Sequence, residues 1–232
     1  MALTNFLQLS KSLLPPTNFS EKTMKTPPDK LIFASGNPGK VREVQELLAG
    51  LHLTLLPQSH FQVPEAEETG LTFVENALIK ARNAAIHSGL PAIADDSGLA
   101  VDILDGEPGV WSARYAGLGA SDQANLDKLL LELKDVPPEE CTARYICVMV
   151  YLAHPRDPTP IICEGIWEGR ITLEVAGENG FGYDPAFWVP THGCTSAQLP
   201  REVKNALSHR GQALRALVAA LRVRTLHLPA GG

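Results

Sequence analysis

Two clusters of acidic residues in this sequence could together bind a cation. They are residues 65–68 (Glu-Ala-Glu-Glu) and residues 95–96 (Asp-Asp). Carboxylates that are brought close together repel each other unless a proton or a cation holds them, and carboxylate oxygens are the protein ligands that Mg²⁺ and Ca²⁺ take. The clusters therefore predict a divalent metal site, although solvated loop acids alone would give the same pattern.

A glycine-rich turn, residues 35–40 (Ser-Gly-Asn-Pro-Gly-Lys), could bind an anion. It follows the apolar residues 31–34, which predict a short buried strand, and it precedes apolar residues at helical spacing. Backbone N–H groups and a helix dipole meet an anion in this arrangement, and Lys40 would add a positive charge. The turn is not a P-loop, because its spacing is too short and no Ser or Thr follows the lysine. Many such turns carry Gly and Asn for backbone reasons alone.

The segment between the two acidic clusters predicts a helix and a strand that would position them. Thr72 and Glu75 form a capping box, apolar residues then recur at helical spacing, and Gly89 ends the helix. Residues 91–94 predict a short buried strand whose carboxyl end carries the Asp pair, the edge where open α/β sheets bind ligands. Because successive strand residues point to opposite faces, we expect Asp95 and Asp96 to have different roles.

Further elements alternate along the chain and predict an α/β fold. Apolar runs predict strands at 53–56, 99–104, 145–152 and 161–167, and helical patterns begin near Ser121, Ser196 and Ser208. Residues 145–152 are almost wholly apolar, which indicates a central strand covered on both faces. A chain of 232 residues is long enough for one substantial core, or one core with two lobes.

Composition excludes several classes of protein. The net charge is −6 and no basic stripe is present, which argues against a nucleic acid polymer as partner. The four cysteines show no close-paired metal spacing and are expected to be reduced. No apolar run reaches the roughly 20 residues that span a bilayer. We therefore expect a soluble, cytoplasmic protein with no membrane contact.

The chain divides into one domain with two appendages. Residues 1–29, with the pairs Pro15-Pro16 and Pro27-Pro28, predict a flexible arm without a role in function, and Met24 is a plausible alternative start. Residues 30–225 form the predicted domain, and residues 226–232 form a tail.

Five motifs occur in an order that resembles a known family. They are Ser-Gly-Asn-Pro-Gly-Lys, Glu-Glu-Thr-Gly, Ala-Asp-Asp-Ser-Gly-Leu, Gly-Phe-Gly-Tyr-Asp-Pro and Ser-His-Arg-Gly-Gln-Ala-Leu. Together they resemble the inosine/xanthosine triphosphate pyrophosphatase family, and the resemblance covers about residues 31 to 223. Each motif is weak alone, but five in order with compatible spacing are specific.

The resemblance implies an activity and an architecture. The activity is Mg²⁺-dependent hydrolysis of non-standard purine nucleoside triphosphates (ITP, dITP, XTP) to the monophosphate and pyrophosphate, which cleanses the nucleotide pool. The fold would be two-lobed α/β, with a long central mixed sheet flanked by helices, an active-site cleft between the lobes, and a homodimer as the assembly.

The resemblance also assigns roles by matching positions. Asp96 would activate water, and Glu67 and Asp96 would bind metal. Ser35, Gly36, Asn37, Pro38, Gly39 and Lys40 would hold phosphates, while Ser97 would touch the substrate. The residues expected around the base and sugar are Phe181, Gly182, Tyr183, Asp184, Lys204, His209 and Arg210.

Chemical reasoning adds detail and leaves alternatives open. Lys80 could neutralise phosphate charge, or be a solvated helix lysine. Arg210 and His209 could donate to a 6-oxo purine, and Asp184 or a backbone carbonyl could act at C2. The alternatives are a pyrophosphatase of another modified nucleotide, a non-catalytic nucleotide-binding module, and a serine hydrolase using Ser97, which would lack the usual nucleophile elbow.

Overall fold

A computed structural model describes residues 30–35 and 53–226, together with five positions between them. These five positions, Lys40, Val41, Val44, Gln45 and Leu48, are all helical, as the apolar spacing predicts. The predicted N-terminal arm, residues 36–39 of the glycine-rich turn and residues 227–232 lie outside the described residues.

The strands form one mixed sheet, which confirms the predicted fold class. In the described part of the chain the sheet has seven strands in the order β2-β1-β3-β4-β5-β6-β7. Strand β1 is parallel to β2 and β3, and the remaining pairs are antiparallel. The strands are β1 (Lys30–Phe33), β2 (Thr54–Pro57), β3 (Ala92–Val101), β4 (Thr142–Leu152), β5 (Ile161–Ile171), β6 (Phe187–Val189) and β7 (Cys194–Thr195).

Four helices with complete bounds accompany the sheet in the described residues: α1 (Phe73–Ser88), α2 (Asp122–Leu133), α3 (Arg201–Leu207) and α4 (His209–Leu226). Short 3₁₀ segments lie at Gln58–Phe61, Asp102–Leu104, Gly109–Arg114 and Ser196–Gln198. None of the described helices is long and apolar enough to cross a membrane.

Capping residues set the helix boundaries where the sequence predicts them. The Thr72 hydroxyl accepts from the Glu75 N–H and the Glu75 carboxylate accepts from the Thr72 N–H, which completes the capping box of α1. Gly89 ends α1 with a left-handed backbone, φ 68°. Ser208 caps α4, because its hydroxyl accepts from the Gly211 N–H at 3.1 Å.

The predicted break in β3 is wrong. Residues 91–94 and 99–104 were expected to be two strands, but Ala92–Val101 is one strand, paired with β4 from Ala92–Leu152 to Val101–Ala143. The Asp pair therefore lies inside a strand and not at its end. The polar run stays extended because its partner strand is continuous, and Gly98 lets the chain pass the Gly109 carbonyl and Ser112, where a Cβ would collide.

The helix predicted from Ser196 to about Lys204 is also divided. A 3₁₀ turn occupies Ser196–Gln198, and α3 begins only at Arg201. Pro200 is the N-cap residue of α3, with a non-helical backbone of φ −56° and ψ 146°. A proline at this point cannot donate the hydrogen bond that would continue the preceding turn.

The long strands β3, β4 and β5 pass through separate cores, which form the two lobes. One end of each strand packs with α2 and β6 through residues that include Leu99, Tyr145, Trp167 and Phe187. At the other end, α4 packs on one face of β3, β4 and β5, and α1 packs on the opposite face of β3 and β4. Asp95, Asp96 and Ser97 lie on β3 where it passes from one lobe to the other.

Candidate active site

Asp95 is a buried carboxylate held by two cations from distant parts of the chain. It is 2% exposed, and its Oδ2 lies 2.8 Å from Lys40 Nζ and 3.6 Å from Arg210 Nε. Burial disfavours its charged form, but Lys40, Arg210 and Lys80 more than offset this and hold the pKa of Asp95 well below its usual range. Asp95 therefore joins the helix after the glycine-rich turn to the start of α4.

Asp96 points to the opposite face of β3, as the strand period requires. Its Oδ1 accepts from Lys80 Nζ of α1 at 2.8 Å. Its Oδ2 is buried and makes no hydrogen bond of normal geometry in the part of the chain that the structure describes, although the Asn76 side chain lies close enough to lower the pKa of Asp96. Burial raises the pKa of Asp96, and the Lys80 ammonium opposes that rise only in part. The unsatisfied acceptor suits a cation or a water molecule.

The first acidic cluster reaches this face through Glu68. Glu68 Oε1 lies 3.1 Å from Lys80 Nζ and Oε2 lies 3.7 Å from Arg114 Nη1. The loop is fixed nearby, because the Asn76 side-chain oxygen accepts from the Gly70 N–H at 2.8 Å. The side chain of Glu67, the predicted metal ligand, is exposed. Glu67 stays a prediction, and Glu68 is a residue that the sequence reasoning did not single out.

Two cavities lie next to this part of β3 and share Lys40; Asp95 lines the first, and Asp96 lines neither. The first has a volume of about 250 Å³, and its lining includes Lys40, Lys80, Glu68, Asp95 and Ser35. The second has a volume of about 450 Å³ and also includes Lys40. It is lined by every predicted residue of the base and sugar group and by Ser97, namely Phe181, Gly182, Tyr183, Asp184, Lys204, His209 and Arg210.

The start of α4 places His209 and Arg210 in the larger cavity. Arg210 Nη2 donates to Ser97 Oγ at 3.2 Å. The His209 ring stacks on Tyr145, with centroids 4.7 Å apart and planes 10° apart. Burial lowers the pKa of His209 well below its usual value, and the neighbouring Arg210 and Lys204 lower it further. His209 is therefore neutral, and its buried Nδ1 has no partner in the described residues.

The loop at residues 180–184 uses two of its side chains to hold its own shape. The buried Asp184 carboxylate accepts from Ser196 Oγ at 2.7 Å and from the Phe181 N–H at 2.8 Å, and it pairs with Lys204. Tyr183 donates its hydroxyl to the Ser112 carbonyl at 2.7 Å. By contrast, Phe181 is 58% exposed, with Lys204 Nζ 5.6 Å from the centre of its ring, and its exposed ring could stack on a base.

Two residues outside the predicted set support this loop. Ser112 accepts from the Leu99 N–H at 2.9 Å through its hydroxyl, in addition to accepting from Tyr183 through its carbonyl. Asp122, at the start of α2, accepts from the Gly182 N–H at 3.0 Å. Neither residue carries a sequence signal, because both act through tertiary contacts with residues far along the chain.

Residues 31–220 match the sequence profile of the Ham1 family. This chain belongs to the Ham1 family. It is 62% identical over 193 residues to the dITP/XTP pyrophosphatase of Pectobacterium atrosepticum, and 59% identical over 193 residues to that of Salmonella typhimurium. Each alignment covers 83% of this chain and 98% of the relative.

Solved structures agree with the family assignment. A HAM1 protein from Coxiella burnetii has a TM-score of 0.81 at 49% identity, covering 84% of this chain and 98% of that one. The Staphylococcus aureus Ham1 protein has a TM-score of 0.77 at 39% identity, covering 84% and 99%. The fold and the family expected from the five sequence motifs are thus confirmed.

Proposed function

We propose that this protein hydrolyses ITP, dITP and XTP to the nucleoside monophosphate and pyrophosphate, and so removes non-standard purine nucleotides from the pool. The main support is that a small polar cavity, lined by two lysines and three carboxylates, shares Lys40 with a larger nucleoside-sized cavity, with Asp95 lining the first and Ser97 the second. A triphosphate that spans both cavities would pass Lys40, and on β3 it would pass from Asp95 to Ser97, the two chain neighbours of Asp96. Relatives about 60% identical are dITP/XTP pyrophosphatases.

Binding of the phosphates would depend on charge. A nucleoside triphosphate carries about three to four negative charges, and phosphoryl-transfer enzymes act chiefly by positioning the phosphates and neutralising this charge. Lys40 and Lys80 both line the smaller cavity. The predicted phosphate-binding turn, of which Ser35 also lines that cavity, would add backbone N–H groups.

Asp96 and a glutamate of residues 65–68 would together hold Mg²⁺. The sequence predicts Glu67 as that glutamate, and in the structure Glu68 is the one that approaches Lys80. Asp96 offers a buried oxygen that makes no hydrogen bond of normal geometry among the described residues. No group of three His, Cys, Asp or Glu side chains converges in the described part of the chain, and Mg²⁺ suits such a sparse set because it keeps several waters and binds substrate phosphates. When bound, the ion would neutralise phosphate charge and lower the pKa of a coordinated water.

Asp96 is the group we assign to proton transfer. A general base must be able to hold a proton during the reaction, and burial raises the pKa of Asp96 toward that condition. Asp95 is unsuited to this role, because Lys40 and Arg210 keep it charged. Asp96 would take the proton of the water that attacks the α-phosphorus, and pyrophosphate would leave.

Base choice would follow from the donors at the start of α4. Arg210 carries only donors, and a neutral His209 with its proton on Nδ1 would offer one more. Both would pair with an acceptor at C6 of hypoxanthine or xanthine, whereas the amino group of adenine would meet a donor. An unmade buried hydrogen bond costs about 1–3 kcal/mol, so two mismatches give roughly hundredfold discrimination.

A substrate panel with product identification tests the proposal. The full chain is incubated with Mg²⁺ and ITP, dITP, XTP, GTP or ATP, and the products are separated by ion-exchange chromatography. We expect inosine monophosphate and pyrophosphate from ITP, with a kcat/KM about a hundredfold above that for ATP. Release of orthophosphate, or equal rates with ATP, would contradict the assignment. Light scattering would test the expected homodimer, and cell fractionation the expected cytoplasmic location.

A further inference from the structure

We propose that the Lys80 ammonium occupies the cation position between Glu68 and Asp96 in the nucleotide-free protein, and that a divalent cation must displace it. Lys80 Nζ lies 2.8 Å from Asp96 Oδ1 and 3.1 Å from Glu68 Oε1. Two carboxylates from different parts of the chain thus converge on Lys80, and Glu68 also faces Arg114 Nη1 at 3.7 Å. This inference rests on the proposed metal-dependent function, and it concerns how the site stays stable without metal.

The position of Lys80 is fixed by the packing of α1. The neighbouring residues Ala77 and Ala81 are fully buried against the sheet, so the backbone at Lys80 has little freedom. From this position its ammonium reaches the carboxylates of both Asp96 and Glu68, and it acts as their counter-ion.

One ammonium is an incomplete substitute for a divalent ion. It carries a single charge between two carboxylates, and Asp96 Oδ2 makes no hydrogen bond of normal geometry in the described residues, with only the Asn76 side chain close to that carboxylate. Coordination of a divalent cation by both Asp96 and Glu68 would break at least one of the two contacts that Lys80 makes. Metal binding without nucleotide must therefore overcome the ion pairs that Lys80 already forms.

The displaced Lys80 ammonium could bind the phosphates of a substrate. Lys80 lines the same cavity of about 250 Å³ as Lys40, where the phosphates of a substrate would lie. A triphosphate would give the released Lys80 an anionic partner, so metal and nucleotide should each increase the affinity of the other. Such coupling is reciprocal by thermodynamic necessity.

The test is Mn²⁺ binding to the nucleotide-free full chain, measured from the electron paramagnetic resonance signal of free Mn²⁺. Lys80→Met keeps an unbranched apolar stem and removes the charge, and we expect Mn²⁺ affinity to rise on the order of tenfold. Lys80→Arg keeps the charge and should bind Mn²⁺ as weakly as the wild type. Lys134→Met is the matched control, because Lys134 is exposed and pairs only with the exposed Asp135 in the described structure. It should leave the affinity unchanged.

Because Lys80→Met also removes the ion pair of a buried carboxylate, Lys80→Gln serves as a second variant that keeps a hydrogen-bond donor. Both variants are first checked by circular dichroism, and both should bind Mn²⁺ more tightly. Adding Asp96→Asn to Lys80→Met should abolish the gain, which locates the ion. Unchanged or weaker Mn²⁺ binding in the folded Lys80→Gln variant would overturn the inference, even if the wild type releases pyrophosphate from ITP. If the wild type released no pyrophosphate from ITP, the proposed function would be refuted, whereas the conclusion from Mn²⁺ binding would be unaffected.

Discussion

Gly165 should control the nucleoside site although it does not line either cavity. It lies on β5 directly beneath the start of α4, where an added Cβ would collide with the His209 carbonyl and lie 2.6 Å from the Ala213 nitrogen. Ordinary contacts of a Cβ begin at about 3.4 Å. In Gly165→Ala the first turn of α4 must therefore retreat by roughly 1 Å, because both obstacles are backbone atoms.

This retreat would move His209 and Arg210 together. A misplacement of about 1 Å can cost a hundredfold in rate, so we expect kcat/KM for ITP to fall by about that factor and the ITP to ATP ratio to shrink. Overpacking should also lower the free energy of unfolding by about 1–3 kcal/mol. The assays are steady-state kinetics with both nucleotides and urea unfolding.

Gly169→Ala is the matched control on the same strand. Its Cβ would press on the Phe187 ring and on the Trp188 carbonyl, 2.6 Å away, and not on α4. We expect lower stability with the ITP to ATP ratio preserved. Wild-type activity and discrimination in Gly165→Ala would refute the view that close packing of α4 on β5 sets the base site.

Four further predictions address the chemistry, the base, pH and the chain terminus. Asp96→Asn should lower kcat about a hundredfold or more with a near-native circular dichroism spectrum, and wild-type turnover would remove Asp96 from proton transfer. Arg210→Ala should reduce the ITP to ATP preference about tenfold, and an unchanged ratio would exclude Arg210 from base choice. The folded state keeps His209 neutral, whereas the unfolded chain protonates it below about pH 6.5, so protonation of His209 lowers the free energy of unfolding as the pH falls. The His209→Gln variant should therefore show a smaller drop in the free energy of unfolding between pH 7.5 and 5.5 than the wild type. An identical drop would contradict this explanation. Deleting residues 1–24 should leave kcat/KM intact, and a large loss would tie that segment to the site.

Local signals in the sequence are sufficient to predict many of the helix ends and strands. Thr72, Glu75 and Gly89 bound α1 through hydrogen bonds within a few residues, which is why the sequence predicts both ends. The apolar run at 145–152 predicts a central strand, and β4 occupies the middle of the sheet. Such features depend on residues that are close together in the chain, so they can be predicted from a single sequence.

Features that depend on distant partners are not predictable in this way. Asp-Asp-Ser-Gly has the composition of a loop, and only its pairing with β4 makes it part of a strand. Whether Glu67 or Glu68 faces Asp96 depends on the conformation of an irregular loop, and the pattern of apolar residues in the sequence does not predict that conformation. The sequence suggests Asp184 as one group that could act at C2 of the base, yet its carboxylate already binds Ser196, Phe181 and Lys204, which come from three separate segments.

Hydrolysis of ITP in ¹⁸O-labelled water tests most directly the claim that water attacks the α-phosphorus beside Asp96. Mass spectrometry of the separated products locates the label after a single turnover. Attack at the α-phosphorus places ¹⁸O in inosine monophosphate and leaves pyrophosphate unlabelled, and this is the expected result. Label in pyrophosphate, or release of labelled orthophosphate, would contradict the arrangement of substrate across the two cavities.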